Sequence, residues 1–186
     1  MVALGLAVTF VTGCTPDDPE PTPTPTVDSP TPTPTPTVEA LAPPERPAEM
    51  ERSDDVGAAA AAVYFLQLFD YVMHTGDVGI WDEISVQDCG FCAGVRTDAE
   101  SMNTAGRRLE GGAFVVGEPR VVGFEEAIRV HAVEVAYTSE AGVVVDASGA
   151  VQSEIAAGSG FLLLDVGYTA DGWRLVRGGA ADESIG

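Results

Sequence analysis

Lysine is missing from this 186-residue chain; its nine basic side chains are all arginines, set against 29 carboxylates for a formal net charge of -20. So acidic a chain repels phosphate backbones and anionic lipid surfaces, which excludes nucleic acid as a partner and leaves solubility as the plainest use of the charge. Proline is scarce in the rear: of 13, only Pro119 follows Pro47. Aromatics are scarce in the front: apart from Phe10, every Phe, Tyr and Trp lies at Tyr64 or beyond. The front therefore has nothing with which to build a core, and the rear of roughly 130 residues is long enough for one domain. Cysteine appears three times, at Cys14, Cys89 and Cys92, an odd count that leaves one outside any pair.

The front reads as an export signal and a tether. Val2 to Thr12 is apolar and uncharged, too short to span a bilayer but suited to a signal-peptide core, and Val11-Thr12-Gly13-Cys14 has the form of a lipobox. A signal peptide is expected over 1–13, with lipid on Cys14 anchoring the chain to the extracytoplasmic face of the cell membrane. No Lys or Arg follows Met1, which a start site placed too far downstream would explain. From Thr15 to Pro44 the Pro-Thr repeats fix φ, remove backbone donors and bring no aromatic to bury. Residues 14–47 are expected to be a disordered polyproline II spacer, rising about 3.1 Å per residue or roughly 90 Å over thirty residues. Export also places the rear in an oxidising compartment, where Cys89 and Cys92 are left to each other.

A single α+β domain is expected over 48–180, with a disordered tail at 181–186. Ser53-Asp54-Asp55 offers N-cap oxygens for a helix that stays apolar nearly all round to His74 and stops at Gly76. So apolar a helix needs a wrapping, most simply a curved sheet. Asp77 to Val86 suits a short helical turn, and Phe91, Val95, Ala99, Met102 and Leu109 predict a second long helix stopped by Gly111-Gly112. The period then becomes two: strands over Ala113–Val122, broken near Pro119, and Ala127–Thr138, a hairpin at Ser148-Gly149, then Phe161–Tyr168 turning at Asp171-Gly172 into Trp173–Val176. The fold class expected is α+β, N-terminal helices packed into a curved antiparallel sheet, a layout that is similar to the cystatin-like cone.

The run Pro44-Glu45-Arg46-Pro47-Ala48-Glu49-Met50, then Gly57-Ala58, Thr75-Gly76-Asp77, the Cys89-x-x-Cys92 pair and Gly172-Trp173-Arg174-Leu175-Val176 occur in this order. Together they resemble a family of actinobacterial secreted lipoproteins, domain of unknown function 6318. The resemblance implies an envelope location and a domain similar to the nuclear-transport-factor-two-like cone. It implies no activity.

Two places could carry chemistry. A C-x-x-C at a helix start can hold a thiolate, but helical sequence precedes Cys89 where a thioredoxin-like motif wants a strand. No proline but Pro119 follows to wall the site, and Asp88 would raise the thiol pKa. Zinc would need two further ligands, and only His74 and His131 exist. A disulfide closing a short loop, contributing at most ~2 kcal/mol, is the remaining reading of Cys89 and Cys92. The second place is the cavity that the resemblance to such cones implies, for which the chain offers Tyr64, Asp70, Tyr71 and His74 as the candidate pocket, and also His131 and Asp165; Asp70, if buried, could act as a base. The plainer reading puts Asp70 on a solvent-facing edge or on a Tyr hydroxyl, His74 at a helix end as a cation, and His131 on a strand surface. No cofactor is implied. The expected function is a lipid-anchored binding or assembly module with an envelope protein or small ligand as partner; the alternatives are an acid-base enzyme or carrier using the pocket, and a thiol-disulfide oxidoreductase.

Overall fold

The domain is organised on helix α1, Asp55–Thr75, in a computed structural model that describes residues 41–181. The expected signal peptide, Cys14, the spacer to residue 40 and the tail from 182 lie outside the described residues. Asp54 caps α1, its carboxylate accepting from the Gly57 amide at 3.2 Å. The Arg52 guanidinium grips the same carboxylate and holds its pKa down at about 2. At the far end Gly76 takes φ 71° and its N–H reaches the Val72 carbonyl at 2.8 Å. A short 3-10 helix, Ala48–Glu51, precedes α1 and buries Met50, a turn that the sequence pattern does not reveal.

Two shorter helices follow, α2 at Gly79–Ile84 and α3 at Gly90–Thr104. The end of α3 corrects the expectation that it runs on to Gly111-Gly112. Gly106 stops it instead: at φ 62° its N–H meets the Asn103 carbonyl at 3.0 Å, and the Arg107 N–H meets Met102 at 2.8 Å. Leu109 matched the helical spacing by chance and sits in strand β1, Arg108–Gly111.

The remaining strands are β2 Phe114–Glu125, β3 Val130–Ser139, β4 Gly142–Val145, β5 Val151–Ile155, β6 Gly158–Thr169 and β7 Gly172–Ala181. They form two antiparallel sheets, ordered β2-β3-β6-β7 and β1-β4-β5. The two are joined as one bent ribbon, because β1 leads into β2 while their partners β4 and β3 run back alongside. At the bend Gly112 donates to the Ala141 carbonyl and Glu140 to Ala113, so pairing continues through it. The bend needs glycine: Gly111 and Gly112 have φ of 69° and 76°, and a Cβ on Gly142 would stand 2.8 Å from the Gly112 nitrogen. Pro119 sits at a register shift in β2, where a missing backbone donor costs least.

One face of the four-stranded sheet packs on α1. Val133 and Val135 of β3, Leu164 and Val166 of β6, and Trp173 and Leu175 of β7 are buried with Phe65, Leu68 and Val72 of the helix, each at most 1% exposed. By length and composition α1 could also cross a membrane, but half of its most apolar window is buried inside the domain, as the core helix of a globular unit requires. His131 corrects a second expectation: it alternates with Val133 and Val135, so it points inward and is 5% exposed. Residues 127–129, expected as strand, belong to the β2–β3 turn, where Arg129 has φ 55°. The whole is a mixed α+β domain with antiparallel sheets and few helices, consistent with the nuclear-transport-factor-two-like cone.

Candidate functional site

Of the four residues proposed for a pocket, all on α1, only Asp70 and His74 pair with each other. Tyr64 is 5% exposed, and burial raises its hydroxyl pKa. Tyr71 donates to the Asp77 carboxylate at 2.9 Å, outside the core. Asp70 and His74 pair with each other, not with a Tyr hydroxyl as the plainer reading of Asp70 allowed. His74 Nδ1 lies 3.4 Å from the Asp70 carboxylate and 2.8 Å from its carbonyl, and Nε2 lies 2.9 Å from the Gly111 carbonyl. Both ring nitrogens thus face acceptors, so both must donate; hydrogen bonding to Asp70, chiefly, raises the His74 pKa to about 9. That makes His74 a cation at the end of α1 and a tie from the helix to the bend of the ribbon. A depression of about 160 Å³ beside it is lined by His74, Thr75, Asn103 and Arg107 among others, and none of Tyr64, Asp70 or Tyr71 lines it.

Cys89 and Cys92 are disulfide-bonded, 2% and 3% exposed. Cys89 is the N-cap of α3, its sulfur accepting from the Cys92 amide at 3.1 Å, and Trp81 Nε1 donates to the Cys92 carbonyl at 3.1 Å. A depression of about 270 Å³, lined by Asp82, Ser85, Gln87 and Arg96 among others, adjoins the two cysteines. The clip holds the α2–α3 connection. There the Cys89 N–H reaches Val86, the Val86 N–H reaches the Leu175 carbonyl at 3.1 Å, and Ser85 bridges β7 in parallel.

A further concavity lies away from α1, on the opposite face of the four-stranded sheet. It is an open groove of about 720 Å³. Val130 and Ala132 of β3 form its apolar floor, Ile128 at the β2–β3 turn stands at one rim, and Val86 and Asp88 from the clipped connection close the other side. Asp165 and Arg177 cross it as an ion pair. Arg177 Nε donates to the carboxylate at 2.7 Å; Asp165 is 7% exposed while the Arg177 side chain is 80% exposed. A second depression, about 160 Å³, adjoins it through the same pair and continues along Leu163 and Gly179. Sequence reasoning placed Asp165 in the cone interior. It lies on the other face because it pairs with Ala132, which alternates with the buried Val133. The alternation of β3 was readable, but which face α1 would take was not.

A crystal structure of the intermembrane space region of chloroplast protein ARC6 is similar to this chain at a TM-score of 0.50 and 11% identity, covering 66% of this chain and 95% of that one. A Novosphingobium aromaticivorans protein assigned as an aromatic ring hydroxylase has a TM-score of 0.49 and 15% identity, covering 72% and 93%. At these identities the likeness to ARC6 shows the fold alone. No curated protein matches the chain. The model for the family of unknown function DUF6318 matches residues 39–178, most of the chain, and the protein belongs to that family.

Proposed function

We propose that this protein is a non-enzymatic binding module on a cone scaffold. In this reading lipid on Cys14 anchors it to the extracytoplasmic face of the cell membrane, and the Pro/Thr spacer holds it off the surface. The observation that supports binding over catalysis is the location of space in the domain. The side of the sheet where a cone enzyme would keep its pocket is filled by Phe65, Leu68, Val133, Leu164 and Trp173. Of the acid-base candidates on α1 only Asp70 and His74 meet, and both His74 ring nitrogens already face acceptors. Room for a partner lies on the other face, in a groove with an apolar floor and a charged rim.

Two experiments test the reading. Labelling with radioactive palmitate tests the anchor: Cys14→Ala loses the label, and equal labelling removes the lipoprotein claim. A photo-crosslinking benzoylphenylalanine at Ile128, in the full chain in its host, tests the groove. It captures a discrete partner that the same residue at Val115, exposed elsewhere on β2, does not; equal capture at both positions, or none at Ile128, removes the groove as a binding surface.

A further inference from the structure

The groove and the smaller depression beside it share Asp165 and Arg177, so they form one trough that continues from the groove along β6 and β7 to Leu163 and Gly179. Adjoining depressions offer successive places for the side chains of an extended segment. Its floor is aliphatic, and its charge is one-sided: Asp88, Glu125 and Asp165 line it against the single cation Arg177. The chain as a whole carries -20, which draws cationic surfaces toward it. The ion pair inside the trough is unequal. Asp165 is held in place and nine-tenths buried, whereas its guanidinium partner is mostly in water. A carboxylate desolvated by the fold needs a cation, and Arg177 supplies one from an exposed position that another guanidinium could take.

From the trough and its charge we infer that it docks an arginine-bearing, apolar segment of a partner protein. Asp165 anchors the incoming guanidinium, and Arg177 is the resident stand-in that the ligand displaces. Ile128 and Val130 receive the aliphatic side chains that flank the arginine. The inference rests on the reading of this face as a binding surface and adds the chemistry of its partner.

The probe is a fluorescein-labelled peptide alternating leucine and arginine, titrated by anisotropy into the full-length protein. The same peptide with citrulline for arginine is the neutral control, and benzamidine is the small-cation arm. The arginine peptide binds and the citrulline peptide binds at least about tenfold more weakly, because the charge-assisted fork to Asp165 is lost. Arg177→Gln, by removing the competitor, tightens binding on the order of tenfold, and Asp165→Asn weakens it by a similar factor. If Asp165→Asn fails to fold, the double variant Asp88→Asn with Glu125→Gln must still weaken binding; Val151→Ser, remote on β5, must leave it unchanged. Equal affinity for the citrulline peptide, no effect of either acidic variant, or binding of benzamidine but not the peptide overturns the proposal. Failure of the peptide while the Ile128 crosslink still captures a partner sinks only the arginine chemistry. Failure of both sinks the binding face as well.

Discussion

At the scale of single residues, His74 shows how a bland expectation acquired a structural role. Its place in the last turn of α1 already suggested a cation facing the helix dipole. The structure adds two acceptors from different elements, the Asp70 main chain and Gly111 at the bend, which only the imidazolium can satisfy together. The His74 pKa rises from 6.5 to about 9. A raised pKa means that the charge contributes stability in full below about pH 6.5, and that this contribution is lost as pH rises through 9. His74→Gln is therefore expected to lower stability by about 1–2 kcal/mol at pH 6, and much less at pH 9.5, with the half-exposed setting of Asp70 limiting the effect. Urea unfolding at the two pH values measures it; an equal loss at both would show that packing, not charge, is what His74 provides. His131 is the opposite lesson. A histidine in an alternating strand can face either way, and only the packing of α1 decided that it faces in, against Trp173 at 5.4 Å between ring centroids.

At the scale of elements, the Cys89–Cys92 bond is local, and its effect should be local too. It ties the start of α3 to the Val86–Asp88 connection, which is added to β7 through Ser85 and Val86 and walls the groove. Replacing both cysteines by serine closes no large loop, so global stability should fall by no more than ~2 kcal/mol. Amide exchange at Val86 and Cys89 should rise well beyond that in β3 or β6, because their hydrogen bonds depend on the clip. Hydrogen exchange followed residue by residue checks this, and a uniform rise across the domain would contradict it. Elements were legible where a local signal ended them: Asp54 and Gly76 bounded α1, and Pro119 marked the irregularity in β2. The end of α3 was misread because two glycine signals compete there. Gly106 makes the helix stop, while Gly111-Gly112 serves a backbone bend whose need arises only once β4 lies alongside.

At the scale of the molecule, charge dominates. With 29 carboxylates against nine arginines, the folded state holds more like charge in a small volume than the unfolded chain does. Salt screens that repulsion, while the exposed ion pairs contribute little that salt could remove. Raising sodium chloride from 20 mM to 500 mM should lift the melting temperature by about 2–5 °C. A fall in calorimetry would mean that the surface pairs, such as Arg96 with Asp82, outweigh the net repulsion.

Composition and period alone determined where a core could form, that one apolar helix would have to be wrapped, and that paired strands would follow it, because burial of apolar side chains leaves few other arrangements. The pairing of Cys89 with Cys92 came instead from expecting lipid on Cys14, which leaves those two cysteines to each other. Tertiary structure decided which side of the sheet the helix covers. That choice buried His131, filled the interior where an active site was conceivable, and turned Asp165 with Arg177 onto the face that remained open. Alternation in a strand specifies two faces but not their assignment; only the partner that packs on one of them makes the other a surface.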